Sequence, residues 1–191
     1  MVKINIGCGK DIREGYINVD LFNYPGVDKI VDLTAIPWDF PDGEADEVYT
    51  SHCIEHVLDQ KSFLMECYRI LKPGGELIIK APHVTSVTSQ GNLGHYRGYC
   101  YDTFKDYLSQ DYYMFEKARF RTIHQEIVWF RMEWLMVNKV PRWLRFILKP
   151  TSGILNFLIN LNPRLFENLW CYWIGGAREV EWRGIKIREE S

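Results

Sequence analysis

Residues 4–20 read INIGCGKDIREGYINVD: an apolar run enters Gly7-Cys8-Gly9, and an acid, Asp20, closes a second apolar run eleven positions after the second glycine. Glycines after a strand let backbone approach a ligand where a side chain would intrude. A dinucleotide fingerprint would place a third small residue at position 12 and an acid about 20 residues further on. Position 12 is Ile, and Asp20 comes too early. A Walker-type phosphate loop requires Gly-Lys-Ser/Thr, whereas Lys10 is followed by Asp11 and Ile12. The remaining ligand chemistry is a ribose diol for Asp20 without a pyrophosphate to cradle, which S-adenosylmethionine provides.

Outward from this stretch, runs rich in Ile and Val recur at residues 2–6, 16–20, 29–33, 46–50 and 76–81 and read as strands. Asp59 can cap a helix carrying Phe63, Leu64, Cys67, Ile70 and Leu71 at helical spacing, stopped by Lys72-Pro73-Gly74-Gly75. Right-handed crossovers between parallel strands gather the following loops at the carboxyl edge, where open α/β sheets bind ligands. After Pro82 come a loop or lid over about 83–101, a helix from Tyr101 to Leu108, and strands over 119–130 and 177–187. A helical insertion spans about 132–175, interrupted at Pro141, Pro150 and Pro163. Proline removes a backbone donor and clashes with the preceding turn, so several short helices are expected there rather than one.

The 191 residues, 47% hydrophobic and 25% charged, suit one α/β domain with an appendage. Five scattered cysteines with no Cys-x-x-Cys pair suggest neither a disulfide framework nor a zinc site, and no metal ligand set is expected. No targeting segment or spanning helix is legible, which points to a cytoplasmic location. A net charge of −2 argues against general nucleic-acid binding. That charge is unevenly placed, because residues 134–166 carry five bases and no acid.

Four segments in order, INIGCGK, YINVDL, IVDLTAIPWDFPDGEADEVYTSHCIEHV and RILKPGGELIIKAPH, resemble class I S-adenosylmethionine-dependent methyltransferases over about residues 3–83. The resemblance implies a Rossmann-like three-layer α/β sandwich around a mostly parallel seven-stranded sheet with an antiparallel last strand. It implies S-adenosylmethionine as cofactor. Backbone of Ile6, Gly7, Cys8 and Gly9 would face its methionine and ribose, Asp20 the ribose hydroxyls, and Leu21 the adenine. Asp32 and Leu33 would lie at the adenine edge, and Ser51 and His52 beside the transferred methyl. The family's third glycine is replaced by Asp11, and only Lys10 to Gly15 separate the turn from the second strand.

An acceptor that must lose a proton calls for a base, and His52, His56, His83 and His95 are the candidates, since imidazole titrates near neutral pH. The loop from Gly91 to Tyr101 offers His95, Tyr96, Arg97 and Tyr99 either as substrate contacts or as lid packing. In 134–166, Trp134, Trp143, Phe146 and Phe157 accompany Lys139, Arg142, Arg145, Lys149 and Arg164. Such a segment either packs on the sheet or a second subunit, or contacts an anionic membrane surface. The expected activity is methyl transfer to a small-molecule, glycan or lipid-linked acceptor. The alternatives are an inactive S-adenosylmethionine-binding protein and an NAD-dependent oxidoreductase.

Overall fold

The structure, a computed structural model, describes residues 1–109, 119–129, 141–171 and 176–187. Among them, seven strands form one sheet: β1 (Lys3–Ile6), β2 (Ile17–Asp20), β3 (Lys29–Ile30), β4 (Ala45–Ser51), β5 (Leu71–Pro82), β6 (Phe120–Val128) and β7 (Glu179–Lys186). Their order is β3-β2-β1-β4-β5-β7-β6. The first five pair in parallel, and β7 inserts antiparallel between β5 and β6. This is the Rossmann-like sheet with an antiparallel last strand that the sequence led us to expect. The third strand is shorter than expected.

Helix α1 (Gln60–Ile70) connects β4 to β5, and the Asp59 carboxylate caps it by accepting from the Ser62 amide at 3.0 Å. Its apolar stripe, Phe63, Leu64, Cys67 and Ile70, is buried in a core shared with Ile4, Ile6, Val48, Leu77 and Ile79. Each such side chain contributes about 1.5–3 kcal/mol by leaving water. Lys72-Pro73-Gly74-Gly75 ends the helix as expected but lies within β5: Leu71 pairs with Ala45 and pairing resumes at Glu76 opposite Glu47. From the other end of α1, Glu66 accepts from the Trp38 amide, and Arg69 donates to the Trp38 and Phe40 carbonyls. The PWDF segment is thereby pinned into the core.

The crossover from β1 to β2 contains no helix. Buried asparagines replace it: Asn5 donates to the Asp11 carbonyl (2.7 Å) and to Asn18 Oδ1 (3.0 Å), while the same Asn18 oxygen accepts from the Arg13 amide. The Asn18 amide group donates back to the Arg13 carbonyl, and its main chain donates to Asp28. These bonds satisfy loop backbone that a helix would otherwise satisfy internally.

Beyond β5 lie α2 (Val87–Gly91) and α3 (Thr103–Leu108), the latter two residues shorter at its start than expected. The expectation of several short helices is corrected at Pro150: α4 runs unbroken over Arg142–Leu161. Pro150 leaves the Phe146 carbonyl without its helical donor, and, one residue on, the Thr151 hydroxyl bonds the Ile147 and Leu148 carbonyls, each at 3.0 Å. The distal half is also held from outside the helix. Asn160 accepts from the Ile127 amide and donates to its carbonyl, and Asn156 accepts from the Trp129 amide. Two asparagines thus occupy backbone groups at the open edge of β6, which would otherwise be free to pair with another chain. Pro141 and Pro163 behave as expected, flanking α4 and opening the next turn. Trp134, Lys139 and Phe130 lie outside the described residues.

α4 carries its amphipathicity inverted. Ser152, Asn156, Ile159 and Asn160 meet the protein, while Trp143, Phe146, Ile147, Ile154, Phe157, Leu158 and Leu161 form a stripe in solvent, with Phe146 84% exposed. Among the described residues, no helix is long and apolar enough to cross a membrane.

Candidate functional site

Because β1, β2, β3 and β4 are parallel, the residues after them share one edge. Gly7 takes φ +65°, and a Cβ there would lie 2.2 Å from Cys53 Sγ, so only glycine fits. Gly9, at φ +53°, has no atom within 4 Å of where its Cβ would stand. One glycine closes against the core and the other leaves room for a ligand. Cys8 is buried between them; burial, with the Asp20 charge, pushes its thiol up to about 11. It is a small filler, as is Cys53, whose thiol burial pushes up to about 12.

Asp20 ends β2 only 8% exposed, one carboxylate oxygen accepting from the Gly9 amide at 2.7 Å and the other from the Phe22 amide at 2.9 Å. Two backbone donors fix the carboxylate beside the open face of Gly9, and each oxygen retains further acceptor capacity. Leu21 and Phe22 follow it, 51% and 60% exposed. Sequence reasoning singled out Leu21 and missed Phe22; the signal was two adjacent apolar residues immediately after the acid. Asp32 accepts from the Thr34 hydroxyl and amide, which hold its carboxyl below the ordinary range. Leu33 is half-buried against the core, and its carbonyl accepts from the Trp38 indole.

At the end of β4, Ser51 is half-buried, and His52 adopts φ +52°, a left-handed backbone that costs a side-chain-bearing residue about 1–3 kcal/mol and recurs at functional sites. Its amide donates to the Lys80 carbonyl, which holds the turn against β5. His52 Nε2 lies 2.8 Å from Glu179 on β7, and Nδ1 lies 3.4 Å from Glu55. Burial opposes protonation, but the bonds to Glu179 and Glu55 outweigh it and lift the imidazole to about 9. Glu179 left no trace in the sequence, being 127 residues from its partner.

A 3₁₀ turn, Ile54–His56, follows, with Glu55 fully buried and His56 exposed. The lid folds onto this turn: the Tyr96 amide donates to the Glu55 carbonyl, and the Gly94 carbonyl lies 3.0 Å from His56 Nδ1. The His56 and His95 rings meet edge to face at 4.5 Å. Burial pushes His95 below its ordinary value against an opposing pull from Glu55. His83, also named from sequence, stands apart. It is fully buried, with Nδ1 on the Thr85 hydroxyl and Nε2 on Glu167 of the Phe166–Trp170 turn. Tyr99 is buried and stacks on Phe104, which makes it packing rather than surface; Tyr96 is exposed.

Residues 5–79 match a family model described as a methyltransferase domain. Over 76 residues the chain is 36% identical to a Mycolicibacterium smegmatis protein named as a probable S-adenosylmethionine-dependent methyltransferase, covering 39% of this chain and 29% of that protein. The chain thus spans less than a third of that curated relative. Among solved structures, a methyltransferase from Archaeoglobus fulgidus aligns over 96% of this chain and 85% of its own, at TM-score 0.56 and 21% identity. A phosphoethanolamine N-methyltransferase from Haemonchus contortus, bound to phosphomonomethylethanolamine and S-adenosylhomocysteine, aligns over 98% of this chain and 49% of its own, at TM-score 0.60 and 18% identity. Both share the fold. Residues 5–79 thus match a methyltransferase domain, in a chain whose fold is that of S-adenosylmethionine-dependent methyltransferases.

Proposed function

We propose that the chain is a class I methyltransferase that moves the methyl group of S-adenosylmethionine to a lipid-linked acceptor presented at an anionic membrane surface. The observation that carries the cofactor half is Asp20, a nearly buried carboxylate oriented by the Gly9 and Phe22 amides beside the open face of Gly9. A ribose diol supplies the donors that its remaining lone pairs accept. Backbone of Ile6 through Gly9 then faces the methionine, Leu21 with Phe22 the adenine, Asp32 and Leu33 its edge, and Ser51 with His52 the sulfonium side. Transfer is an in-line displacement: the acceptor atom bonds to the methyl carbon, sulfur keeps the electron pair, and S-adenosylhomocysteine leaves. Positioning supplies much of the acceleration.

The acceptor half rests on α4. A helix whose polar side is tied to β6 and whose Trp, Phe, Ile and Leu stripe faces water has the composition of an interfacial segment. Arg142, Arg145 and Lys149 lie along this helix, each basic residue near an anionic surface contributing about 1 kcal/mol, whereas Arg164 beyond it is paired with Asp102. A bilayer is favoured over a second subunit because the bases accompany the apolar stripe without an acid between residues 134 and 166.

Flotation with phosphatidylglycerol vesicles at low and high salt tests the surface: salt-sensitive association that Phe146→Asp abolishes is expected. A salt-independent dimer by light scattering, with no flotation, would overturn it. Incubating the chain with methyl-labelled S-adenosylmethionine and a membrane extract tests the acceptor. Label in the lipid-linked fraction is expected, and label confined to water-soluble products would replace this acceptor class.

A further inference from the structure

We propose that Glu55, His56 and His95 bind one divalent transition-metal ion at the junction of the 3₁₀ turn and the lid. Each offers a donor atom, and the three atoms lie within 4.8 Å of one another. Glu55 is fully buried, and its two carboxylate oxygens have no hydrogen-bond partner among the described residues; the nearest charge is His52 Nδ1 at 3.4 Å. Nδ1 of His95 is likewise buried with no hydrogen bond among the described residues. A buried carboxylate whose nearest charged neighbour, His52, stands at the long distance of 3.4 Å keeps acceptor capacity open, and an ion is one physical remedy for it.

The surroundings fit the assignment. His56 Nδ1 is engaged by the Gly94 carbonyl, the kind of outer contact that fixes the tautomer of a metal-bound histidine and leaves Nε2 for the ion. Metal–nitrogen and metal–oxygen bonds of about 2.0–2.2 Å require the three donors to draw inward, which the exposed His56 ring can do. Two imidazoles and one carboxylate suit Zn²⁺, Co²⁺, Mn²⁺ or Fe²⁺ better than Ca²⁺ or Mg²⁺, and leave coordination positions open. The cysteine spacing gave no hint of such a site, because its ligands come from a turn and a loop about 40 residues apart.

The role of the ion rests on the methyl-transfer reading above, although its binding does not. The site is adjacent to His52, on the methyl-transfer side of the edge. An acceptor hydroxyl bound to the cation there would lose its proton to solvent more readily, and its oxygen would then bond to the methyl carbon as the carbon–sulfur bond breaks and S-adenosylhomocysteine leaves with the electron pair. Among the described residues a second grouping, His124, Glu126 and Glu181, is a weaker candidate because Glu181 already pairs with Lys80 and Arg183.

The test titrates the untagged chain with Co²⁺, followed by its visible absorption and by calorimetry, and then displaces it with Zn²⁺. One Co²⁺ per chain is expected, released by Zn²⁺, with Glu55→Gln and His95→Ala each weakening binding roughly 10–100-fold and His124→Ala leaving it unchanged. Absence of bound Co²⁺ in the wild type, wild-type affinity in both site variants, or loss in His124→Ala would overturn the assignment. S-adenosylhomocysteine affinity, measured on the same variants, reports that they are folded. Loss of that affinity in the wild type with Co²⁺ binding intact would sink the cofactor reading and leave the metal site standing.

Discussion

The two flanks of the site edge are closed by different means. On the β1–β2 flank the hydrogen bonds that shape the turn are local: Asp20 holds amides at Gly9 and Phe22, and Asn5, Asn18 and Asp28 stitch a crossover that lacks a helix. On the β4 flank, beside the local contact of His52 with Glu55, the orienting contacts are remote, His52 meeting Glu179 across 127 residues and His56 meeting Gly94 of the lid across 38. The local flank is a preformed receptacle built of backbone donors and small residues. The remote flank exists only once β7 and the lid have docked, so it depends on global folding.

The largest effect should come from the glycine that closes on the core. Gly7→Val places a branched side chain at φ +65° against Cys53 and should cost about 2–6 kcal/mol, strain and overpacking together, in urea denaturation. A loss below 1 kcal/mol would mean that the turn relaxes freely. Asp20→Ala should weaken S-adenosylhomocysteine binding about 10–100-fold by calorimetry, through lost hydrogen bonds to a charged acceptor. Equal affinity would move the ribose elsewhere.

Asn18→Ala leaves the buried Asn5 amide short of an acceptor and frees the Arg13 backbone. About 1–3 kcal/mol of stability should be lost, with weaker cofactor binding, because Asn5 also holds the loop at Asp11. Unchanged binding would show that this crossover does not support the floor of the site. Glu179→Gln should be milder on the other flank, about 1 kcal/mol after solvent screening of the partly exposed His52, with S-adenosylhomocysteine affinity within about twofold of wild type. A larger fall in affinity would join the two flanks that the comparison separates.

This division also explains what the sequence made legible. Gly7, Gly9 and Asp20 lie within 14 consecutive residues and obey strand and turn rules that act over short distances. The amphipathic pattern of α1 and the alternation of β7 are local in the same sense. Glu179 and the meeting of Glu55 with His95 follow from sheet order and lid docking, which no short-range pattern encodes. Pro150 misled in the opposite direction. Its local tendency to break a helix was overridden by tertiary anchoring, with Asn160 bonded to Ile127 and Asn156 to Trp129. The inverted face of α4 was hidden for a similar reason, since its apolar periodicity suggests a core-facing stripe until Asn156 and Asn160 are seen to face the sheet.

The central claim is that the edge formed by Gly7, Gly9 and Asp20 binds S-adenosylmethionine rather than a dinucleotide. Calorimetric titration of the purified chain with S-adenosylhomocysteine and, separately, with NAD tests it most directly. The account predicts one saturable site for S-adenosylhomocysteine and no heat of binding with NAD. Binding of NAD with none for S-adenosylhomocysteine would contradict it.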